Sequence, residues 1–552
     1  MHKLKVGLLI DHTTVPLYVY KLIEQINNCD YAEFTLIIKN KDLEGKHSFF
    51  TRLKHSYKNL FYSIYLQVDK RVFNVKPNAF EPADITSLIE KIPLIQVIPH
   101  STTFSHRFRE EDLAEINSHG LDVILRMGFK ILRGAILNAA KYGIWSYHHG
   151  DNNVNRGGPP GVWEFLHNCD ETGVILQILT EDLDGGIVID RSYSKTDNSS
   201  VIRNNNNSYW KALSMIPRNL KELYTSGGTV FMERINAKNN APYFYFNKLF
   251  VNPTNLEFTK FFIIKILKKI KDKVFQLFFN NQWILLYSFN KSERLSQSFF
   301  RFKKIQPPKD RFWADPFAVH KNGLYYIFFE ELMYKTHKGH LAVLTIDNKG
   351  NISTPVTILE KDYHLSYPFV MESDNKFFLI PECVVQKRID LYQCIDFPHK
   401  WEFVRTLMNN VSAVDATIHF HDNKYWMFCN IKENEGASTS DELFIFYADH
   451  FNSTDWHPHA KNPVISDVKK ARPAGKIFKY KNEYYRPSQD CSRHYGRGIN
   501  INRIILLNEN EYVEETIQNM YSNWEKSISS IHTINFAGDL TIIDGQTRRS
   551  KY

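Results

Sequence analysis

The sequence has few cysteines, and none of them form a recognisable pair. The six lie far apart, at Cys29, Cys169, Cys383, Cys394, Cys429 and Cys491. No Cys-x-x-Cys spacing occurs, which argues against a zinc knuckle or a dithiol redox motif, and we predict no metal site. Free thiols in a reducing compartment are the simplest interpretation.

Long apolar runs are also missing. No stretch reaches the ~18 uncharged apolar residues of a membrane-spanning helix. The first apolar run, residues 6–10, ends at Asp11. It is too short for the apolar region of a signal peptide, so we expect a cytoplasmic protein.

Positive charge is in only modest excess. The chain of 552 residues has 69 Lys+Arg against 60 Asp+Glu, a formal net charge of +9. No dense basic stripe with interleaved aromatic residues occurs, so we expect no nucleic-acid partner. Aromatic residues, in contrast, are abundant at 14% of the chain. They favour β-strands.

Residues 1–235 alternate short apolar runs with helical patterns. The runs 4–10, 34–39 and 121–127 are typical of buried strands, and the helical stretch 18–26 lies between two of them. This strand–helix–strand order predicts a domain built on a parallel α/β sheet.

Residues 236–285 form a predicted linker that contains an amphipathic basic helix. Apolar side chains recur at spacings of three and four residues, at Ile263, Leu267, Ile270, Val274 and Leu277. Lysines occupy much of the remaining surface, at Lys265, Lys268, Lys269, Lys271 and Lys273. Such a helix either docks its apolar stripe on a neighbouring domain or lies on an anionic membrane surface. The second alternative makes residues 257–280 a peripheral contact with the inner membrane.

Residues 286–552 have the pattern of strands throughout, and the pattern repeats. Each copy has a small or polar opening, a strand, a polar turn and an aromatic-rich strand. Four clear copies and a weaker fifth lie at 314–331, 366–382, 414–430, 471–489 and 531–545. A period near 50 residues with paired strands predicts an all-β, five-bladed β-propeller.

The openings of the repeats carry polar side chains at matching positions. The second residues of the four clear openings are Asp315, Tyr367, Asp415 and Arg472, separated by 52, 48 and 57 residues. The innermost strand of each blade lines the axis of a propeller, so we expect these four side chains to converge on one central pocket. Aromatic pairs also recur at matching positions, and we expect them to form the propeller core: Tyr325-Tyr326, Phe377-Phe378, Tyr425-Trp426 and Tyr484-Tyr485.

The densest polar cluster of the first region lies at 146–165, and a second polar turn lies within 171–189. Acyl transfer to an amine requires a proton acceptor, a group that stabilises the oxyanion, and a carboxylate that orients the acceptor. His148 or His149 can accept the proton. Asp184, which precedes two glycines, can bring a carboxylate close to a ligand.

These two segments resemble the folate-dependent formyltransferases, a family that includes methionyl-tRNA, glycinamide-ribonucleotide and sugar N-formyltransferases. Its pattern is Asn-x-His after a strand, a Gly-and-Pro loop, a Thr-Gly strand, and Asp-x-Gly before an apolar strand. His148 and Asp184 fall on the catalytic pair, residues 156–160 on the substrate loop and Thr172-Gly173 on the Thr-Gly pair.

The resemblance implies a Rossmann-like α/β fold and 10-formyltetrahydrofolate as the donor. It places the folate against residues 127–132, largely through backbone contacts. The implied cofactor-binding residues are Met127, Gly128, Phe129, Ile131, Leu132 and Asp182. The implied substrate-binding residues of this domain are His149, Asp151, Asn152, Arg156 and Gly157.

One residue departs from the family pattern. The family's Asn, which donates a hydrogen bond to the developing oxyanion, is Ser146 here. Loss of one such donor typically lowers the rate by about 10²–10³. Either Ser146, or a water that it holds, takes over this role, or His149, Asp151 or Asn152 substitutes, or the chemistry has changed.

The repeats resemble the N-terminal domain of glucosamine inositolphosphorylceramide transferases and, more remotely, five-bladed glycosidases of the arabinanase and invertase type. Asp315 and Asp415 fit two of the three acidic positions of those glycosidases, but the third position is Arg472. A glycosidase needs two carboxyl groups in distinct roles, which here would require Glu331 or Glu382 as the acid. The open alternatives are binding of an anionic sugar, a structural salt bridge at the axis, and hydrolysis.

Together these patterns predict a formyltransferase-like enzyme that acts on an amino sugar of a nucleotide precursor or glycan, with a propeller that binds carbohydrate. Two rival hypotheses remain. One is an enzyme of the same fold that uses another acyl donor or hydrolyses formyl-folate. The other is a non-catalytic glycan-binding protein.

Overall fold

The computed structural model describes residues 2–41, 57–290, 295–296 and 298–551. The chain divides into two compact units. The first comprises Met1–Ile266 with Glu433–Ser438, and the second comprises Leu267–Lys432 with Thr439–Tyr552. Among the described residues, no helix combines the length and apolarity needed to cross a bilayer.

The first unit is built on a seven-stranded sheet. Its strands in chain order, β1 to β7, are Leu4–Ile10, Ala32–Asn40, Leu94–Val97, Val123–Arg126, Ile144–His148, Glu171–Ile178 and Ile187–Lys195. Their order across the sheet is β7-β6-β5-β4-β1-β2-β3. The first five strands pair in parallel, as predicted. The last two pair antiparallel, which corrects the prediction of a parallel sheet. Because β6 and β7 are joined by residues 179–186 alone, they cannot make a parallel crossover, which needs a dozen or more residues.

Eight helices and two small ladders surround this sheet in the described part of the first unit. The helices are Leu17–Asn27, Leu60–Val72, Thr86–Ile89, Glu110–Ser118, Val162–His167, Val201–Ala212, Met215–Ser226 and Gly228–Lys238, and short 3₁₀ turns lie at Tyr57–Asn59 and Ala135–Asn138. One ladder joins Thr14–Pro16 to Pro82–Asp84, and the other joins His100–Ser101, Ser105–Arg107 and Ile131–Arg133.

Strand β1 is buried on both faces. Val6, Leu8 and Ile10 pack into one apolar cluster, and Leu9 packs into another on the opposite face. Covering on both faces explains why this strand reads as a continuous apolar run rather than an alternating one. Because β1, β4 and β5 are parallel, the residues that follow Ile10, Arg126 and His148 meet at one edge of the sheet.

A long helix, Asn255–Phe278, leads into the strand Phe279–Phe289. The predicted basic helix is therefore present. The strand begins inside the segment 236–285 that the sequence assigned to the linker.

The second unit consists of five antiparallel sheets, the arrangement of a five-bladed β-propeller. The first blade contains the strands Arg311–Lys321, Leu324–Met333, Lys338–Asp347 and Val356–Leu359, and the second contains Ser366–Ser373, Lys376–Glu382, Arg388–Asp396 and Lys400–Asn409. The third blade contains Ala413–His421, Lys424–Ile431, Glu442–Ala448, His457–Pro458 and Ile465–Ser466. The fourth blade contains Phe478–Tyr480, Glu483–Asp490, Gly498–Leu507 and Tyr512–Tyr521.

The fifth blade joins the two ends of this unit. It contains Phe279–Phe289, Lys303–Ile305, Ile528–Ser530, Ile534–Ala537 and Leu540–Ser550. Phe279–Phe289 pairs with Leu540–Ser550 along its whole length, from Phe279↔Ser550 to Phe289↔Leu540. This pairing closes the ring.

Each of the first four blades begins with a hairpin that is encoded locally. The two turn residues have positive φ in every case, at Asn322-Gly323, Asp374-Asn375, Asp422-Asn423 and Lys481-Asn482. Two-residue hairpin turns of type I′ require this conformation, and Asn, Asp and Gly adopt it most readily. Half of the eight predicted aromatic residues are buried in the propeller core: Tyr325, Phe377, Phe378 and Trp426. The other half are only partly buried: Tyr326, Tyr425, Tyr484 and Tyr485.

A bulge sets the opening residues of the first three blades apart from their neighbours. Asp315, Tyr367 and Asp415 have left-handed backbone conformations, and the strand register shifts at each of them. A bulge removes its residue from the ladder and redirects its side chain. The three residues therefore face the centre of the propeller instead of continuing the strand alternation.

Candidate active site

His148 and Asp184 lie together at the edge of the α/β sheet. His148 is the last residue of β5, and Asp184 lies in the connection between β6 and β7 with a positive φ of 50°. The His148 Nδ1 and Asp184 Oδ1 atoms are 3.5 Å apart. The other Asp184 oxygen accepts a 2.8 Å hydrogen bond from the Gly157 N–H. The carboxylate is therefore held in place on one side and faces the imidazole on the other.

The second nitrogen of His148 determines its tautomer. Nε2 lies 3.1 Å from the backbone carbonyl of Asn155, which can only accept a hydrogen bond. The proton of the neutral ring therefore resides on Nε2, and Nδ1 keeps its lone pair. Nδ1 is therefore the ring nitrogen that is not committed to a carbonyl, and the Asp184 carboxylate 3.5 Å away would stabilise a proton placed on it.

Ser146 has an arginine beside it that sequence reasoning missed. Ser146 is buried, and its hydroxyl accepts a 3.2 Å hydrogen bond from Nη1 of Arg126, the last residue of β4. Arg126 Nη2 donates to the Phe129 carbonyl at 2.8 Å. Its Nε atom is buried without a hydrogen-bond partner among the described residues. Burial lowers the pKa of Arg126, and the neighbouring Asp11 and Asp184 carboxylates oppose that shift.

His149 lies in a different environment from His148. Its ring stacks on Tyr209 with a centroid distance of 3.4 Å and an interplanar angle of 11°. Burial, assisted by the neighbouring His148, lowers the pKa of His149 to about 3. It is therefore a neutral, packed side chain at ordinary pH.

Asp151 and Asn152 are held by one arginine. Arg191 donates through Nη1 to Asp151 and through Nη2 to the Asn152 side-chain oxygen. Tyr193 also donates to Asp151, at 2.9 Å. These bonds occupy the carboxylate and the amide oxygen that the sequence assigned to substrate. The Thr172 and Thr196 hydroxyl groups are hydrogen-bonded to each other at 2.9 Å. Gly173 packs against Asp151, and a Cβ at position 173 would lie 2.8 Å from the Cβ of Asp151.

The loop after Asn155 is fixed against the segment around Phe250. Arg156 donates through Nε to the Asn152 carbonyl at 3.0 Å, and its guanidinium lies 4.7 Å from the centre of the Tyr245 ring. Gly157 has a φ of +95°, and a Cβ there would lie 2.2 Å from the Phe250 carbonyl oxygen. Only glycine fits this position.

Gly157→Ala is expected to lower the free energy of unfolding by about 1–3 kcal/mol and to displace Asp184, because both the φ angle and the contact forbid a Cβ. Urea unfolding measures the first effect. Gly120→Ala is the control, since Gly120 also has a positive φ of +57° but no atom within 4 Å. Equal losses in the two variants would show that the contact with Phe250 is unimportant.

The loop 127–132 is tied to the protein through its backbone. The amide of Met127 donates to the Leu9 carbonyl, that of Phe129 to the Asp11 carboxylate, and that of Ile131 to the Phe104 carbonyl. The Phe129 and Leu132 side chains are buried in the core, and Met127 and Ile131 are partly exposed. A Cβ at Gly128 would lie 2.6 Å from the Asp11 amide nitrogen, so the loop packs closely on the end of β1. The Asp182 side chain is exposed.

The second unit contains a separate polar cluster at the propeller centre. Asp315 accepts hydrogen bonds from the Tyr367 amide and the Thr533 hydroxyl. Arg472 Nε donates to Asp415 Oδ2 at 2.6 Å, and Arg472 Nη2 lies 3.5 Å from Glu382 Oε2. The four opening residues therefore converge, and each is less than 9% exposed.

Carboxylates crowd this centre. Burial, followed by repulsion from Asp415, raises the pKa of Glu382 well above its usual range. Burial also raises the pKa of Asp315 to about 6, against the attraction of His532. Burial, followed by repulsion from Asp315, raises the pKa of Glu330 well above its usual range. Glu331 is bound instead to Trp313, Arg311 and His340.

Three residues of this cluster were not identified from the sequence: Glu330, His532 and Asp544. His532 lies between two carboxylates, with Nδ1 2.7 Å from Asp544 and Nε2 3.2 Å from Asp315. Burial lowers the pKa of His532, but Asp544 and Asp315 outweigh it and the net shift is upward. One potential ligating atom from each of Asp315, His532 and Asp544 lies within 4.8 Å of the others. For two of the three missed residues the available signal was a His and an Asp in the fifth repeat: His532 shortly precedes the strand Ile534–Ala537, and Asp544 lies within Leu540–Ser550.

Comparison with known proteins relates the propeller region of this chain to a family named for a transferase. Residues 304–536 match the family model described as glucosamine inositolphosphorylceramide transferase 1, N-terminal. The Arabidopsis thaliana protein of that name is 32% identical over 206 residues, 37% of this chain and 27% of the relative. The chain thus covers less than a third of that relative. This match confirms the predicted resemblance of the propeller region.

Two further similarities are weaker than this match: the first covers a shorter part of the chain, and the second has a lower sequence identity. A methionyl-tRNA formyltransferase from Prochlorococcus marinus is 35% identical over 83 residues, 15% of this chain and 24% of that protein. The catalytic domain of the Coprinopsis cinerea GH62 α-L-arabinofuranosidase is 11% identical with a TM-score of 0.34, covering 49% of this chain and 98% of that chain.

Proposed function

We propose that the first unit transfers a formyl group from 10-formyltetrahydrofolate to the amine of an amino sugar, and that the propeller binds the carbohydrate part of the acceptor. The observation that carries this proposal is the His148–Asp184 pair, with Nδ1 of His148 free to accept a proton. The short similarity to a methionyl-tRNA formyltransferase agrees with the first part of the proposal. The family match over residues 304–536, which is named for a glucosamine inositolphosphorylceramide transferase, agrees only with the carbohydrate part.

The residues present fit an acyl donor. Arg126 Nε is a buried donor without a partner among the described residues, beside Ser146 and near the carboxylate of Asp184. Residues 127–132 would hold the folate at the edge of the sheet where His148 also lies. When bound, 10-formyltetrahydrofolate supplies a formyl group on a nitrogen that can leave.

His148 acts as the proton acceptor. Its Nε2–H is committed to the Asn155 carbonyl, so Nδ1 takes the proton that the acceptor amine loses. Asp184 lies beside Nδ1 and stabilises the imidazolium that results. His148 would then return this proton to the folate nitrogen as the formyl group leaves it, so that the ring ends neutral and the leaving group is a neutral amine. Gly157 keeps Asp184 in this position through its amide.

Arg126 stabilises the negative charge that develops on oxygen, because the Ser146 hydroxyl already donates to the Tyr147 carbonyl at 3.3 Å. A buried guanidinium is a stronger donor than the neutral amide found in the family, because its hydrogen bonds carry a full positive charge. Ser146 holds Nη1 and leaves Nε available. Arg126 is therefore proposed to take over the role of the missing Asn, in place of His149, Asp151 and Asn152, which contact other residues.

The central test is a calorimetric titration with a stable formyl-folate analogue, followed by a folate-release assay with amino-sugar nucleotides. Analogue binding and amine-dependent release are expected. Release without an amine would indicate a hydrolase instead. Carbohydrate binding with no folate affinity would indicate a non-catalytic glycan-binding protein.

The role of Arg126 has its own test. Arg126→Ala is expected to lower kcat by about 10²–10³. Added guanidinium at concentrations that leave the fold intact is expected to restore part of this loss. Arg133→Ala is the control, because Arg133 pairs with the exposed Glu181. An active Arg126→Ala variant would refute this assignment.

A further inference from the structure

The helix Asn255–Phe278 carries an exposed apolar stripe that the proposed chemistry does not use. Its members are each half exposed or more: Leu256, Ile263, Leu267, Ile270, Val274 and Leu277. Their spacings of seven, four, three, four and three residues place them on one face of the helix. The opposite face buries Phe258, which packs with Tyr62 and Phe165 in an apolar cluster. The helix is therefore packed near its start, and from Ile266 to Phe278 every residue except Phe275 is exposed.

Lysines border the exposed stripe. With 3.6 residues per turn, Lys260 and Lys271 lie along one edge and Lys273 lies along the other, whereas Lys269 lies nearer the face that carries Phe258. All four are exposed. Glu257 is the only acidic residue of the first turn, and Asp272 is the only other acid of the helix. The stripe is therefore embedded in positive charge.

A second apolar stripe lies on the helix Leu60–Val72, which packs against the first. Tyr62 contacts Phe258, and Tyr65 contacts Phe262, at centroid distances of 6.0 and 5.3 Å. The outward side of this helix exposes a stripe at Leu60, Phe61, Ile64, Val68 and Val72. Exposed apolar area on this scale marks an interaction site rather than ordinary surface.

The geometry points to a membrane-surface anchor: the helix Asn255–Phe278 lies in the plane of an anionic lipid membrane, with its apolar stripe among the acyl chains and its bordering lysines at the headgroups. Lysine side chains at the edges of such a stripe extend to the phosphate level while their stems cover apolar surface. An apolar protein partner would satisfy the stripe but would leave these lysines without anionic contacts. The charge pattern therefore favours anionic lipid.

The test is co-flotation of the full chain with vesicles of phosphatidylcholine, with and without phosphatidylglycerol. Binding is expected only to vesicles that contain phosphatidylglycerol, and it should weaken at high salt because the lysine contribution is screened. The triple variant Ile263→Gln, Ile270→Gln, Val274→Gln is expected to bind these vesicles at least about tenfold more weakly than the wild type. These side chains are half exposed, so the fold should tolerate the change.

The matched control is Ile505→Gln, Val513→Gln, Ile517→Gln on the outer strands of the fourth blade, where the exposure is similar. This variant should bind like the wild type. Three results would overturn the inference: no binding of the wild type to anionic vesicles, undiminished binding of the helix variant, or equal loss in the control. Concentration-dependent dimerisation that the helix variant abolishes, together with no vesicle binding, would identify the stripe as a contact between copies of this chain and would also overturn it.

Discussion

Replacement of His148 by alanine is expected to lower kcat/KM for formyl transfer by about 10²–10⁴-fold, the usual contribution of a positioned general base. The loss should appear in kcat, because Nδ1 of His148 acts on the proton and not on the binding of the acceptor. Asp184→Asn should have a similar effect, since the imidazolium then loses its carboxylate neighbour. Initial rates of folate release over a range of acceptor concentrations measure both.

The matched control is His149→Phe, one residue away. His149 stacks on Tyr209 and is neutral at ordinary pH, so a flat apolar ring should replace it with little change in rate. If His148→Ala remained active while His149→Phe lost activity, the assignment of the base would be wrong.

The second large effect concerns the stability of the propeller. Arg472→Met is expected to lower its free energy of unfolding by about 3–5 kcal/mol, because removal of one partner leaves buried charge uncompensated. The remaining partner, Asp415, is 2% exposed and Glu382 also lies in the buried cluster. Urea unfolding followed by tryptophan fluorescence measures the change.

Arg503→Met is the control for this variant. Arg503 pairs with Glu515 on the surface, with side chains 40% and 56% exposed. Such pairs contribute about 0–1 kcal/mol. The double variant Arg472→Met, Asp415→Asn should recover part of the loss, since it also removes a buried charge. Equal losses of unfolding free energy in Arg472→Met and Arg503→Met would mean that water reaches the propeller axis and that the axis tolerates an unpaired carboxylate, as a carbohydrate-binding pocket can.

The propeller was predictable because its signals are local. Asp374-Asn375 and Asp422-Asn423 encode their turns within two residues, and every repeat carries its own hairpin. The parallel strands of the α/β sheet were predictable for the same reason, from short apolar runs separated by helices. The reversed direction of β6 was not: β6 pairs antiparallel with both β5 and β7, and an apolar run carries no information on the direction of its strand.

The site was only partly predictable. His148 and Asp184 were found through motif order, but Arg126 reads as the end of a buried strand. A charged residue closing an otherwise apolar run was the available signal. The cluster around Asp315 depends on partners 218 and 229 residues away, at Thr533 and Asp544. No local sequence pattern indicates a contact between residues so far apart in the chain.

The pairing of Phe279–Phe289 with Leu540–Ser550 has a consequence for synthesis of the chain. The first strand of the propeller leaves the ribosome long before its partner exists, and until then it presents a long unpaired edge. The ring can close only after residues 540–550 emerge, so the folding of this unit waits for a contact between its two ends. During that interval the edge of Phe279–Phe289 that later pairs with Leu540–Ser550 is open to pairing with other strands.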